Sequence, residues 1–454
     1  MKIILNNRRP SSARSGVLLV SGVLVIAATL RAPITIVGPL VDLVRQHFGL
    51  GAAQTGMLAA LPLLAFAAMS PLVGQFARQY GLERSLFGGM VILATGVVLR
   101  STGPQWALFA GTWLIGSGIA VGNVLLPSLV KRDFAAQVTR ITAAYMLVMA
   151  LASALSSTVA IPIADLGDNG WHIALGSVVL LPLLAMVLWL PQLSGSRPPA
   201  SNTHTALLPR GAGTWHSPLA WQISIFMGLT SFLYYTTVGW LSSVLVAAGF
   251  SPHTAGSLQG ALHLASASTS LVMVLLGRRL KDQRWAALTS ALLTSCGFTG
   301  LAMSPLYAAV WICLLGCGFG LGIILGLSFL SLRASSSAQV ATLSGMAQGV
   351  GYLLGAVGPP VLGVLHEAQG GWSLPLLESA TLALVMGCAG WLAGRDLQID
   401  AALPQARSPR AASVATSADR VATRPPQSAV TISASPPPDT QFASFCAEPW
   451  SSNN

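Results

Sequence analysis

The chain has 454 residues, of which 53% are hydrophobic and only 8% charged, and its mean hydropathy is +0.68. That balance excludes an ordinary soluble enzyme of this length. The net charge of +11 would suit a nucleic-acid binder if its basic residues formed a stripe on a soluble module, which they do not.

Twelve apolar runs are each long enough to cross a hydrocarbon core of about 30 Å as a helix. They are predicted at 16–40, 54–77, 85–102, 106–130, 138–163, 172–190, 219–247, 254–277, 285–303, 306–330, 339–365 and 373–394. The predicted fold is all-α, with twelve transmembrane helices in two parallel six-helix halves. The first half takes 1–190 and the second 219–397. Between them, 191–218 reads as a Pro-, Ser- and Thr-containing linker. After it, 398–454 reads as a disordered tail, too poor in apolar periodicity to offset its ordering entropy.

The halves repeat each other. Thr55-Gly56-Met57-Leu58 returns as Ala255-Gly256-Ser257-Leu258, and Ala136-Gln137-Val138 as Ala338-Gln339-Val340, each about 200 residues later. Charge supplies the orientation. With the N-terminus cytoplasmic, only Arg45 and Arg100 among 24 Lys and Arg residues fall on the far side, and Arg31 lies inside the first helix. The positive-inside rule then puts the linker and both termini in the cytoplasm. The first apolar run is too long for a signal-peptide core and reads as the first span. Cys296, Cys313, Cys317 and Cys388 fall inside helices without His or acidic companions, so they read as packing residues. No metal site, cofactor or nucleotide-binding loop is expected, and hence no ATP.

Polar residues within the spans mark a path. Arg31, beside Pro33, costs about 2.5–3.5 kcal/mol at a bilayer centre and should face protein or water. It either contacts a substrate in a central cavity or hydrogen-bonds neighbouring carbonyls. Thr35 and Gly38 share its helical face. Thr230, Tyr234 and Thr237 form a stripe on the seventh helix, with Tyr235 turned about 100° away. Gln259, His263, Ser266 and Ser270 form another on the eighth, and Ser344, Gln348 and Tyr352 a third on the eleventh. Each stripe suits either a solute path or interhelical hydrogen bonding. Asn123 follows a glycine-rich run on the fourth helix. Pro33, Gly351, Gly355, Gly358 and Pro359 are read as packing and bending positions. Glu378 is taken as the only acid inside a span, near an outer end.

Several strings resemble the cyanate and 2-nitroimidazole transporter branch of the major facilitator superfamily. They are Leu30-Arg31-Ala32-Pro33-Ile34-Thr35 with Gly38-Pro39-Leu40, Gly122-Asn123-Val124-Leu125-Leu126-Pro127, and Leu343-Ser344-Gly345-Met346-Ala347-Gln348 running through Gly351-Tyr352 to Gly358-Pro359-Pro360. The resemblance covers about residues 16–398. It implies a secondary transporter with a rocker-switch cycle that exports nitroimidazole-like compounds, or alternatively takes up cyanate or another small anion. The chain departs from the superfamily's acidic loop pattern, with Arg78 four positions after Gly74. Expected partners are a small-molecule substrate and membrane lipid, and the expected state is a monomer. Substrate-binding candidates are Arg31, Thr35, Asn123, Tyr234, Gln259, His263, Gln348 and Tyr352. A membrane-embedded enzyme or sensor is the rival class, and no catalytic constellation supports it.

Overall fold

The computed structural model describes residues 13–167, 169–193, 214–276, 282–335 and 337–399. These form twelve long helices, and no strand occurs among the described residues. α1 is broken into Ala13–Thr29, Ala32–Thr35 and Val37–Phe48; α2 is Ala52–Tyr80, α3 Leu82–Arg100, α4 Gln105–Asp133 and α5 Val138–Ala164. α6 is Gly170–Ser177 continued by Leu180–Leu193; α7 is Pro218–Ala247, α8 Pro252–Leu276, α9 Arg284–Met303, α10 Ala308–Leu332, α11 Ser337–Gln369 and α12 Ser373–Ala393. Eleven of these are long and apolar enough to cross a membrane. The remaining one is α8, whose Gln, His and Ser stripe lowers its hydropathy although its 25 residues suffice in length. Large apolar side chains such as Leu155, Leu180, Trp285 and Leu306 are exposed on the outer faces, as lipid requires.

The break in α1 follows from Pro33. It has no N–H to give to the carbonyl four residues back, and Arg31 leaves helical geometry at φ −125°. α1 then runs on to Phe48, eight residues beyond the predicted end, because nothing before Gly49 stops it. Gly49 adopts φ +61° and caps the helix, where a side chain would be strained. The extension corrects the inventory of intramembrane acids. Asp42 lies in a membrane-length helix, as do Glu83 and Glu367, so Glu378 is not the only one.

The repeat seen in the sequence reappears as repeated contacts. A Cβ on Gly116 would press on Pro62 and Ala65, and one on Gly316 on Leu262 and Ala265. Gly56 lies against Pro359 and Pro360 of α11, and its counterpart Gly256 against Ser157 of α5. Arg132 pairs with Glu83 at 2.6 Å, and Arg333 donates to Gln283 at 2.5 Å. One apolar core is built almost entirely from α1–α6 and a second from α7–α12 with Ile399. Of the linker, α6 takes 191–193 and a short turn takes Thr214–His216; 194–213 lies outside the described residues. Most of the tail, 400–454, lies outside them as well. Ile399, at its start, is buried and donates its N–H to the Arg333 carbonyl.

Candidate functional site

The halves meet at one end of the bundle, the end carrying the α1–α2, α5–α6 and α7–α8 turns, here called the distal end. There Arg45 Nη2 lies 2.9 Å from Glu367 Oε1, and the same oxygen accepts the Ala52 N–H at 2.8 Å. Ser243 Oγ donates to Asp42 Oδ1 at 2.8 Å, and His253 Nε2 lies 2.7 Å from Asp165 Oδ2. The repeat glycines Gly56 and Gly256 seat the crossing helices just beneath, since a side chain on either would run into the facing backbone. Toward the opposite, proximal end the packing loosens. A Cβ on Gly345 or Gly349 would meet nothing within 4 Å, and one on Gly74 only its own helix's Arg78.

Arg31 sits at the break in α1, half-way along the bundle. Its guanidinium lies beside the Tyr235 hydroxyl and close to Tyr234, Tyr352 and His263. No carboxylate pairs with it among the described residues. Tyr352 stands edge-on to Phe66 of α2 with ring centres 5.6 Å apart, and its hydroxyl points to Gln348 Oε1 at 3.5 Å. Gln348 in turn donates to Ser344 at 2.8 Å, so the α11 stripe forms a hydrogen-bonded row. Arg31, Tyr235, Ser344, Gln348 and Tyr352 all keep partial exposure while the distal end is sealed. Solvent therefore reaches them from the proximal end.

Other sequence-selected residues lie elsewhere. Thr35 is buried and bonds Ser156 Oγ at 2.7 Å, fastening α1 to α5. Gln259 is fully buried, taking the Ser242 hydroxyl at 2.7 Å and donating to the Val238 carbonyl at 3.0 Å. It fills the space that Gly38 leaves open, so it fastens α8 to α7 and α1 at the distal closure. Ser270 donates to the Gly320 carbonyl at 3.0 Å and Ser266 lies against the same residue, placing the lower α8 stripe in the α8–α10 contact. Thr230 and Thr237 donate to carbonyls of their own helix. Tyr234 is buried against Phe319, with its hydroxyl 3.5 Å from His263 Nδ1, while His263 Nε2 is buried without a partner. Asn123 is exposed at the depth of Arg31, next to Gly122, onto which Leu30 packs. Glu378 is exposed and, among the described residues, accepts only from Gln369.

On α7, Thr230 packs against Met386 and Gly322 and Tyr234 against Phe319, whereas Tyr235, one residue round the helix, lies beside Arg31. A lone tyrosine outside a stripe gave no periodic signal. Among the packing positions, Pro33 gives its carbonyl to Arg100 at 2.7 Å and Pro359 gives its own to Trp240 Nε1 at 2.8 Å. Gly355 lies against Tyr235 and Leu63, Gly358 against Thr236 and the Phe232 carbonyl, and Gly351 only loosely against Ser231. The helix continues through Pro359 and Pro360.

Two repeated helical halves, sealed at one end around a cation that solvent reaches from the other, define a multi-pass membrane transporter. The chain belongs to the Major Facilitator Superfamily, whose model matches residues 23–359. It is 47% identical to the 2-nitroimidazole transporter of Escherichia coli (strain K12) over 388 residues, which is 86% of this chain and 98% of that protein. It is also 27% identical to the cyanate transport protein CynX of the same organism, over 76% of this chain and 89% of that one. The fold is shared with an inward-facing, unoccupied bacterial homologue of the human lysosomal transporter Spinster. That match has a TM-score of 0.69 at 14% identity and covers 86% and 98% of the two chains.

Proposed function

We propose that this transporter exports a small, flat, polar solute of the 2-nitroimidazole class across the bacterial inner membrane, binding it at Arg31. The observation that carries this reading is the Arg31 guanidinium itself, half-way along the bundle, reached by solvent and set among phenols with no carboxylate among the described residues. A nitro group accepts from such a fork, and a flat ring packs against Tyr235 and Tyr352. The identity with the 2-nitroimidazole transporter supports the same class. Gln348 and Asn123 border the approach from the proximal end and supply further polar contacts. Because the basic residues gather at that end, the positive-inside rule makes it cytoplasmic. The termini and linker are then cytoplasmic too, and the structure is the inward-open state. Exchange with the outward-open state is a rocking of the halves about the centre while the distal contacts part. The protein works as a monomer in lipid, without ATP.

A second reading, uptake of cyanate or a similar small anion, is favoured by the uncompensated charge of Arg31 and by the cyanate-transporting relative. The two are separated in proteoliposomes preloaded with unlabelled 2-nitroimidazole or cyanate. Export of nitroimidazoles predicts counterflow of labelled 2-nitroimidazole that excess azole competes away and cyanate does not. Counterflow driven by cyanate alone would replace the first reading with the second.

A further inference from the structure

A buried guanidinium lies one layer nearer the distal end than Arg31. Arg100, the last residue of α3, is 1% exposed. Its Nη1 donates to the Pro33 carbonyl at 2.7 Å, but Nε and Nη2 have no hydrogen-bond partner. It borders an enclosed cavity walled by Pro33, Gly38, Thr55, Ala59, Thr112 and Tyr235, with about 20 Å³ of space for a water-sized sphere. About 10–15 Å³ holds one such sphere, so the cavity takes a single occupant. The wall offers that occupant little else. Thr55 and Thr112 give their hydroxyl protons to the Gly51 and Leu108 carbonyls.

Charge decides what the occupant is. An ion held out of water costs several kcal/mol unless it is paired and its donors are used. The chain meets that requirement at its other deeply buried arginine. Arg333 gives its donors to Gln283, Asp396 and the carbonyls of Ala393 and Gly394. Arg100 has no carboxylate among the described residues. A water would accept from Nε or Nη2 and leave the charge unopposed, whereas an anion satisfies both. Tyr235 stands between the two cations, since it lies beside Arg31 and also borders the Arg100 cavity. Its own hydroxyl proton remains to be donated.

We propose that Arg100 forms a second anion station, taking one small inorganic monoanion of halide or cyanate size at the distal closure, with Tyr235 between it and Arg31. The station lies where the halves part, so an anion enters or leaves it when the distal end opens. Arg31 alone faces the solute in the proximal-open state. The proposal concerns equilibrium occupancy, so its outcome is independent of whether the nitroimidazole flux assigned above is found.

The test is crystallographic and thermal, on the full-length wild-type protein. Crystals grown with bromide as the sole halide should show an anomalous peak within hydrogen-bonding reach of Arg100 Nε and Nη2. Adding cyanate identifies the source. Loss of the peak means that the station takes a substrate-like anion, and retention means that it holds halide. A feature without anomalous signal, or an empty cavity, overturns the proposal. In parallel, bromide titrated into gluconate buffer should raise the melting temperature of wild type and of Arg31→Gln saturably, and Arg100→Gln should lose that shift. An unchanged bromide response in Arg100→Gln overturns it too. If Arg100→Gln does not fold, the wild-type anomalous map decides alone.

Discussion

Glu367 is the acid that holds the distal closure from the α11 side, and Glu367→Gln tests whether that closure sets the resting state. Its carboxylate takes two bonds across the halves, from Arg45 at 2.9 Å and from the Ala52 N–H at 2.8 Å. The ion pair is partly solvated, with side-chain exposures of 32% and 46%, so it contributes about 0.5 kcal/mol. Gln keeps an acceptor for Ala52 but loses the charge assistance, a further loss of about 0.5–1 kcal/mol. A total of about 1–1.5 kcal/mol corresponds to a five- to tenfold shift toward the distal-open state. Val238 lies under the closure and is buried, so a cysteine there reports opening. With native cysteines replaced, Val238→Cys should label about five- to tenfold faster with impermeant reagent on the distal side when Glu367→Gln is added. Arg45→Met should do nearly the same, and the double variant little more than either. Glu378→Gln is the control, because its exposed carboxylate bonds Gln369 of its own half and nothing across the halves among the described residues. An unchanged labelling rate in Glu367→Gln, or an equal rise in the control, would refute the gate.

The choice of tyrosine is testable too: Tyr235→Phe, which removes the hydroxyl beside Arg31, should cut flux about tenfold, and Tyr234→Phe less than about threefold, in proteoliposomes at matched abundance. Arg333→Ala takes the donor from the buried Ala393 and Gly394 carbonyls and should cost about 2–4 kcal/mol, read as a melting-temperature drop or loss of the monodisperse peak. Arg395→Ala, at a half-exposed position where the side chain bonds Gln222 and the Leu392 carbonyl, should cost much less. Deleting 402–454 should leave flux per molecule intact, and a loss at equal membrane abundance would give the tail a role.

Much of the fold was legible because it rests on period and composition. Apolar runs of membrane length, the charge asymmetry and the glycine repeat require no knowledge of partners. Gly56 and Gly256 stood out as a repeat, and the structure gives them one task, the close crossing of α2 over α11 and of α8 over α5. Polar stripes were less informative, because a helix face says nothing about which neighbour it meets. The stripe holding Gln259 suits a solute path or interhelical bonding equally, and its side chain bonds Ser242 and Val238 and fills the gap at Gly38. Tyr235 was passed over for lack of a stripe, and Arg100 because it falls at a helix end, where basic residues ordinarily reach water. The distal gate was hidden for a similar reason. Asp42 and Arg45 lie on a stretch of α1 that sequence reading had assigned to a loop, and their partners are some 200–320 residues away.

The central claim is that Arg31 binds the transported solute. Flux of labelled 2-nitroimidazole should be measured in proteoliposomes holding equal amounts of wild type, Arg31→Ala and Arg31→Lys. Wild type should give saturable flux, Arg31→Ala should fall to background while still inserting, and Arg31→Lys should recover little, because an ammonium lacks the planar fork. Near-normal saturable flux through Arg31→Ala would contradict the account and move the chemistry off α1.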